Sequence, residues 1–203
     1  MKDSYLTVAG RARVKTAVGA CRFIATVDHV SNEEEALAFI KEMKAEFRDA
    51  THNAFAYKIF VDGAVKSRCG DDGEPVYTAG VPMLEVLDKY NLQNTAVVGT
   101  RYFGGVKLGI GGLTRAYRLC AENGIQGSRI VEQIARTPLS IEVSYERLGN
   151  ALKEIEGAQG KVKDIKYGER AVVVRCKIRQ GLVPSFLEAL REVTRGDYKI
   201  LDN

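Results

Sequence analysis

Two segments of the sequence carry side chains whose types and spacing could do chemistry, and the first is acidic. Residues 71–75 read Asp-Asp-Gly-Glu-Pro, which places the carboxylates of Asp71, Asp72 and Glu74 within four positions. Neighbouring carboxylates repel one another, so a site that holds them together favours a bound cation or a proton on one member. Magnesium is bound in proteins by one or two such groups together with water and substrate phosphates. This acidic motif therefore predicts a divalent-cation site or an acid/base pair, with a solvent-exposed turn as the alternative.

The second segment, residues 101–118, combines glycines with cations and aromatic side chains. Glycine lets backbone N–H groups approach a ligand, and the unpaired N–H groups at a helix N-terminus attract anions. We predict that this glycine-rich segment binds phosphate groups; in the alternative, the glycines only permit tight packing and the arginines are solvated or paired with Glu122. Its candidate residues are Arg101, Tyr102, Gly104, Gly105, Lys107, Gly109, Gly111, Gly112, Arg115 and Arg118.

Neither segment matches a nucleotide-binding fingerprint. No Gly-Lys-Ser or Gly-Lys-Thr follows the glycines, and Thr114 stands where the third glycine of a dinucleotide-binding turn belongs. The sequence thus indicates no nucleotide cofactor. A divalent cation is the one cofactor that the acidic motif leaves open.

His52 is a third candidate, because a histidine near carboxylates can act as a general base or a ligand. It can equally satisfy a local hydrogen bond. The four cysteines are scattered singly without a C-x-x-C pair, and no G-x-S-x-G elbow is present. A metal cluster and nucleophilic catalysis are therefore both disfavoured.

The elements that must position these residues can be predicted from hydrophobic periodicity. Strands are expected over residues 11–30, with a break near Gly19, and over residues 53–62 and 95–103; helices are expected to begin near Ser31 and Pro82 and to span residues 113–123. Residues 63–81 show no periodicity and are rich in glycine and aspartate. We predict a long binding loop there.

After Arg136 the pattern restarts as strand, helix, two strands, helix and strand. This βαββαβ order is typical of a ferredoxin-like domain. The sequence therefore predicts an α+β protein of two domains, with boundaries at residues 1–135 and 136–203.

Composition places the chain among ordinary globular proteins, with 45% hydrophobic and 28% charged residues. Basic residues number 17 against 16 acidic ones through Ala135, and 13 against 10 after it, so neither half is strongly basic. Nucleic-acid binding cannot be argued from this net charge, although a local patch would suffice. We expect a cytoplasmic protein, because no apolar tract is long enough to cross a membrane and the N-terminus lacks a signal layout.

The order of these segments resembles the IMPACT/YigZ family. The resemblance is carried by Arg-Phe-Ile-Ala at residues 22–25, His52, the acidic motif, Thr-Ala-Gly at residues 78–80, Pro-Met-Leu at residues 82–84 and the run at residues 101–117. It covers most of the first domain, and the βαββαβ tail is similar to the small C-terminal domain of bacterial members. Cys21, Asn53, Gly70 and Tyr77 depart from the usual pattern, which has small hydroxyl residues at positions 21 and 70, a second histidine at position 53 and glycine at position 77.

The resemblance implies a first domain with the fold of the second domain of ribosomal protein S-five and a ferredoxin-like tail similar to the last domain of elongation factor G. Both of these relatives handle RNA. It also implies a regulatory role, since eukaryotic members act as translational regulators that compete for the activator of an initiation-factor kinase. The departures at positions 53 and 70 weaken a catalytic interpretation that needs a histidine pair or a hydroxyl group.

Three functions follow as hypotheses. The first is a regulatory protein that binds RNA or the ribosome through the glycine-rich segment, with Tyr102 and Phe103 stacking on bases if they are exposed. The second is a hydrolase for a phosphate-bearing substrate, which requires the acidic motif and the helix that carries Arg115 to converge on one cleft. The third is a regulator that binds a protein partner without catalysis. The oligomeric state is not specified by the sequence.

Overall fold

The computed structural model describes residues 4–61 and 64–201, and it confirms a two-domain α+β protein. One compact unit comprises residues 5–133, and the second includes residues 134–201. No helix among the described residues has both the length and the apolar character needed to cross a membrane.

The first unit is built around a five-stranded sheet whose neighbouring strands are all antiparallel. Its strands, in chain order after the short strand β1 (Ser4–Val8), are β2 (Ala12–Val18), β3 (Cys21–His29), β4 (His52–Val61), β5 (Ala64–Gly70) and β6 (Thr95–Tyr102). The order across the sheet is β2-β3-β6-β4-β5, so β6 lies at the centre. A seventh strand, β7 (Ile130–Ile134), pairs with β1 in a separate two-stranded sheet.

Helices cover both faces of the five-stranded sheet. Helix α1 (Glu33–Glu46) packs on one face, while α2 (Gly80–Lys89) and α3 (Gly109–Gln126) pack on the other. Side chains alternate along β6, because successive residues of a strand point to opposite faces: Ala96 and Val98 belong to the α1 core, whereas Val97 belongs to the α2 and α3 core. Arg101 shares the face of Val97 and therefore points beneath α3.

The predicted long loop at residues 63–81 is wrong over much of its length. Ala64–Gly70 forms β5, and α2 already begins at Gly80, so the irregular segment is residues 71–79; Gly63 lies outside the described residues. The strand β5 pairs only with β4 at the edge of the sheet, and the side chains of residues 64–68 are all exposed. An edge strand that buries neither face has no reason to show hydrophobic alternation, which is why periodicity missed it.

Helix α3 also begins earlier than predicted, at Gly109 instead of residue 113. Gly109, Gly111 and Gly112 therefore form its first turn and are not a loop that precedes it. Glycine has poor helix propensity, so the sequence pattern understated the helix at this end.

The second unit has the predicted ferredoxin-like topology. Its elements are β8 (Arg136–Val143), α4 (Leu148–Gly157), β9 (Lys161–Tyr167), β10 (Val172–Arg179), α5 (Val183–Thr194) and β11 (Tyr198–Leu201). The antiparallel sheet has the order β11-β8-β10-β9, so each helix connects two strands that flank a third. Both helices pack on one face of the sheet, against Val172, Val174 and Ile178 of β10 among others.

Three of the cysteines are buried. Cys21, Cys120 and Cys176 are buried, and Cys69 is partly exposed; all four are free thiols. Burial raises the pKa of Cys120 to about 12 and that of Cys176 to about 11, so both remain protonated at neutral pH.

The packing of α3 on the sheet yields a prediction about Gly124. A Cβ at this position would lie 2.6 Å from Cβ of Ala25. Gly124→Ala should therefore lower the free energy of unfolding by about 1–3 kcal/mol, as overpacking of a core does. Urea denaturation measures the effect. The matched control is Gly149→Ala in α4, where a Cβ would meet nothing within 4 Å and should stabilise the protein by up to about 1 kcal/mol; equal effects would contradict the prediction.

Candidate functional site

A buried ion pair joins the acidic motif to the glycine-rich segment. Oε1 of Glu74 accepts a hydrogen bond from Nη1 of Arg101 at 2.8 Å and another from the Tyr117 hydroxyl at 2.8 Å. The Glu74 and Arg101 side chains are only 3% and 6% exposed. Arg101 comes from β6, Tyr117 from α3 and Glu74 from the loop at residues 71–79, so one carboxylate ties these three segments together.

The surroundings keep the two donors of this network, Tyr117 and Arg101, protonated. Burial, together with the neighbouring Glu74 carboxylate, raises the pKa of Tyr117 far above its ordinary value, so its hydroxyl remains a donor. Burial opposes the charge of Arg101, but its hydrogen bonds to Cys21 and Glu74 prevail and raise its pKa. Removing either charge would leave the other unpaired in a dry environment.

Arg101 has more hydrogen-bonding capacity than its neighbours satisfy. Nη2 lies 3.5 Å from the Cys21 sulfur, a weak acceptor, and Nε is buried with no hydrogen-bond partner. The guanidinium also faces the rings of Phe23 and Phe103, at 6.0 and 5.4 Å from their centroids. The residue predicted to meet phosphate at the surface is thus a structural cation inside the domain.

His52 and Asp72 are held by hydrogen bonds within the protein. Nδ1 of His52 lies 2.8 Å from the backbone carbonyl oxygen of Asp72, and Nε2 lies 3.9 Å from Oε2 of Glu74. The Asp72 carboxylate accepts hydrogen bonds from Lys44 and from the backbone N–H of Asn53. His52 therefore faces the one Glu74 oxygen that the buried network leaves free.

Asp71 anchors the start of α2. Its carboxylate accepts hydrogen bonds from the backbone N–H groups of Tyr77, Ala79 and Gly80, at 2.8–3.0 Å. An acidic group at a helix N-terminus satisfies unpaired donors and complements the helix dipole. The three carboxylates of the acidic motif thus point to different partners. No cluster of three or more His, Cys, Asp or Glu side chains suited to a metal ion is present within residues 4–61 and 64–201.

The glycines of the second segment differ in what requires them. A Cβ at Gly104 would lie 1.9 Å from the carbonyl oxygen of Ala20, so close packing excludes any other residue. Gly105 and Gly109 have φ of +87° and +70°, the left-handed region that favours glycine. At Gly111, neither close packing nor a left-handed backbone requires glycine. The only described atom within 4 Å of a Cβ there would be Nη1 of Arg115, at 3.4 Å.

The predicted cations fall into two groups. In the described part of the chain, Arg118 forms an ion pair with Glu85 of α2, whereas Lys107 and Arg115 have no acidic partner. The Arg115 guanidinium lies beside Gly111, over the first turn of α3. Helix α3 has no side-chain cap, so the first N–H groups of this turn remain available. The structure thus places Arg115 beside the glycines at residues 109–112, and Lys107 lies two residues before them in the sequence.

The two aromatic residues of the segment also separate. The Tyr102 hydroxyl donates a hydrogen bond to Asp49, and Arg22 lies over its ring. Phe103 is 45% exposed, and Val106 and Ile110 nearby in the sequence are 65% and 69% exposed. The exposed aromatic ring available to a base is therefore Phe103 instead of Tyr102.

Tyr117 is the residue that the sequence reasoning missed. Its signal was present, because Leu113, Ala116, Tyr117 and Cys120 recur at helical spacing along the buried face of α3. A buried tyrosine hydroxyl needs a hydrogen-bond partner, and the acidic motif supplies carboxylates that can accept such a bond. Which carboxylate would reach it depends on the tertiary fold.

One departure from the family pattern has a packing explanation. A Cβ at Gly70 would lie 2.6 Å from Cε1 of Phe55, so a hydroxyl residue does not fit there beside this ring. Tyr77 is the opposite case, since it has φ of +65° and is 72% exposed. A tyrosine in the left-handed region is strained, and glycine would not be.

The buried ion pair generates the first prediction about the site. Glu74→Ala should lower the free energy of unfolding by about 3–5 kcal/mol, because it leaves Arg101 charged and unpaired in the core. Urea or thermal unfolding of the purified chain measures it. Glu85→Ala, which removes the exposed ion pair with Arg118, serves as the control and should cost about 1 kcal/mol or less. A loss no greater than that of the control would show that the pair is not essential to the fold.

The strained tyrosine generates the second prediction. Tyr77→Gly should raise the free energy of unfolding by about 1 kcal/mol, because it relieves the left-handed conformation without removing a buried contact. Val76→Gly, at an adjacent residue that is equally exposed, should not stabilise the protein. Calorimetric unfolding of the two variants distinguishes these outcomes.

Comparison with known proteins accounts for both domains. The family of the Impact N-terminal domain matches residues 20–125, and a domain of unknown function, DUF1949, matches residues 141–197. The chain is 38% identical to the IMPACT family member YvyE of Bacillus subtilis, over 97% of this chain and 89% of that protein. It is 28% identical to the IMPACT family member YigZ of Escherichia coli, over 98% of each.

A solved structure agrees along the whole length. The crystal structure of a hypothetical protein, 28% identical in sequence, covers 100% of this chain and 98% of its own, with a TM-score of 0.74. Both domain matches and the identity along nearly the full length show that this chain belongs to the IMPACT family.

Proposed function

We propose that this protein is a translation-associated regulatory protein that binds RNA or the ribosome through the first turn of α3. The observation that carries the proposal is the exposed helix N-terminus at residues 109–112, which has the Arg115 guanidinium beside it and Lys107 two residues before it in the sequence. Neither cation has an acidic partner among the described residues. Backbone N–H groups and guanidinium groups together bind phosphate oxygens strongly. Membership of the IMPACT family supports the regulatory part of this proposal, because the eukaryotic members of the family act as translational regulators.

The glycines strengthen this argument because packing does not explain all of them. Gly111 lies in α3, and the only described atom within 4 Å of a Cβ there would be Nη1 of the flexible Arg115 side chain, so alanine at this position would be better for helix stability. A small residue at this position keeps the approach to the backbone N–H groups open, as a bound phosphate requires. Phe103, which is exposed at the end of β6, adds a ring on which a base can stack.

The buried network gives the site a rigid base. Arg101, two residues before Phe103, is hydrogen-bonded to Glu74, and Glu74 accepts a hydrogen bond from Tyr117 on the third turn of α3. The anion-binding turn is thus fixed relative to the sheet before any ligand arrives. Preorganisation of this kind reduces the entropy lost on binding.

The hydrolase hypothesis receives less support. Glu74 does bring the acidic motif and α3 together, but its carboxylate is buried and bonded to Arg101 and Tyr117. Asp71 accepts three backbone hydrogen bonds, and Asp72 accepts one from Lys44 and one from the backbone of Asn53. A divalent cation at this motif would have to displace these partners.

Binding of a protein partner is the second candidate function, because apolar side chains are exposed both in the loop at residues 71–79 and in the glycine-rich segment. Val76 and Tyr77 are each 72% exposed, and Val106 and Ile110 are exposed to a similar degree. Exposed apolar patches mark protein interaction sites. Ile110→Ser would weaken such an interface while it leaves phosphate binding in place.

Salt-dependent RNA binding tests the proposed function. Lys107→Gln combined with Arg115→Gln should weaken binding of a labelled single-stranded RNA and reduce the slope of log affinity against log salt by about 1.4, two contacts at about 0.7 each. Fluorescence anisotropy of the full-length chain measures both quantities.

The matched control is Arg118→Gln combined with Lys89→Gln, which neutralises two ion-paired cations and should change the slope little. Unchanged RNA binding in the Lys107 and Arg115 double variant would remove this site. Co-purification of a protein partner that survives nuclease treatment and is lost with Ile110→Ser would favour the second candidate instead.

A further inference from the structure

The cations of the second unit are concentrated on one face of its sheet. Because side chains alternate along a strand, Val172, Val174, Cys176 and Ile178 of β10 face the helices, and the intervening residues face the other way. We define this other side as the cationic face. Its basic residues, which follow from the strand register, are Arg136 of β8, Lys161 and Lys166 of β9, Arg175, Lys177 and Arg179 of β10, and Lys199 of β11.

Acidic residues are scarce on the same face. Among the described residues of the four strands, register places Glu142 of β8 and Asp164 of β9 there. Glu142 lies 3.9 Å from Lys199, and Asp164 is directly opposite Arg175. The other acidic residues within residues 134–201 lie on or beside the helices and in the turns. The net charge of this unit is modest, but the fold places most of the basic strand residues on one face of the sheet.

Two cross-strand pairs on this face have like charges. Lys177 is directly opposite Lys161, and Arg179 is directly opposite Arg136. Like charges that oppose each other in an antiparallel pair are destabilising. The guanidinium groups of Arg136 and Arg179 both donate hydrogen bonds to Gln159, which holds them close to one another. The like-charge pair of Lys161 and Lys177 therefore costs stability in the free protein, and a bound anion would relieve the repulsion.

The chemistry of the face favours a phosphate backbone over a protein surface. Lys161, Lys166, Arg175, Lys177 and Lys199 are exposed. Lysine is depleted from protein–protein interfaces, which depend instead on buried aromatic or apolar anchors. Clustered cations are what phosphate binding requires. Same-face residues lie about 6.6 Å apart along one strand, and the β9–β10 register shifts once, between Arg175 and Cys176, so the face presents several cations within a short distance of one another.

From these observations we infer that the cationic face of the second unit is an RNA-binding surface, distinct from the glycine-rich site of the first. It contacts the phosphates of a single-stranded or structured RNA through Lys161, Lys166, Arg175 and Lys177. The inference uses none of the residues of the glycine-rich segment and does not depend on the function proposed for them.

The test is titration of the full-length chain against a fluorescein-labelled single-stranded RNA of mixed sequence, at several salt concentrations. Lys161→Gln combined with Lys177→Gln should weaken binding about tenfold or more at about 50 mM salt, and reduce the slope of log affinity against log salt by about 1.4. Lys153→Gln combined with Arg191→Gln is the control, because it removes equal charge from exposed positions on α4 and α5. Equal weakening by the control would overturn the inference, since net charge alone would then explain the effect.

A second variant separates binding from folding. Lys161→Glu converts the like-charge pair with Lys177 into an opposite-charge pair, so it should raise the midpoint of thermal unfolding by about 1–5 °C. The same variant should bind RNA more weakly than the wild type. Weaker binding in a more stable protein cannot be attributed to misfolding, whereas unchanged RNA binding would overturn the inference.

The outcomes also distinguish this surface from the proposed site. If only the Lys107 and Arg115 variant loses RNA binding, the inference fails and the proposed function stands. If only the cationic-face variants lose it, the inference stands and the glycine-rich site fails. If polyglutamate competes as effectively as unlabelled RNA, the face recognises acidic protein and the inference is overturned.

Discussion

The buried ion pair between Glu74 and Arg101 is the interaction on which the first domain depends. It joins the central strand β6 to the loop at residues 71–79, and through Tyr117 it joins both to α3. Desolvation of two charges is expensive, and excellent geometry is needed to offset it. Here the Tyr117 hydroxyl donates a second hydrogen bond to the Glu74 oxygen that already accepts one from Arg101. Such a network favours one arrangement of β6, α3 and the loop at residues 71–79. A purely apolar contact would be less selective, because it does not depend on which groups face each other.

This arrangement explains why residues of similar type take different roles. Arg101 and Arg115 both belong to the glycine-rich segment, yet one is an internal counter-ion and the other lies over an open helix N-terminus. Asp71, Asp72 and Glu74 are neighbours in sequence, yet they bind a helix terminus, a surface lysine and a buried arginine, respectively. The carboxylates of the acidic motif are therefore bound within the domain, whereas Arg115 of α3 has no acidic partner among the described residues.

The proposals for the two domains both depend on where the positive charges lie and not on the net charge of the chain. The first presents two unpaired cations at a helix N-terminus, and the second presents a sheet face on which like charges oppose one another. Both arrangements concentrate positive charge on one part of the surface. In our proposals, RNA contacts each of them through the same chemical group, the phosphate.

The sequence by itself determined the family, the two-domain α+β organisation, the ferredoxin-like order of the second domain and the segments on which the candidate residues lie. These follow from local periodicity, turn chemistry and motif order, which are properties of neighbouring residues. The tertiary structure alone decided that β5 is an edge strand, that Arg101 is buried against Glu74 and Tyr117, and that Lys161 opposes Lys177. Those facts depend on register and on contacts between residues far apart in the chain, and no local pattern encodes which carboxylate meets which cation.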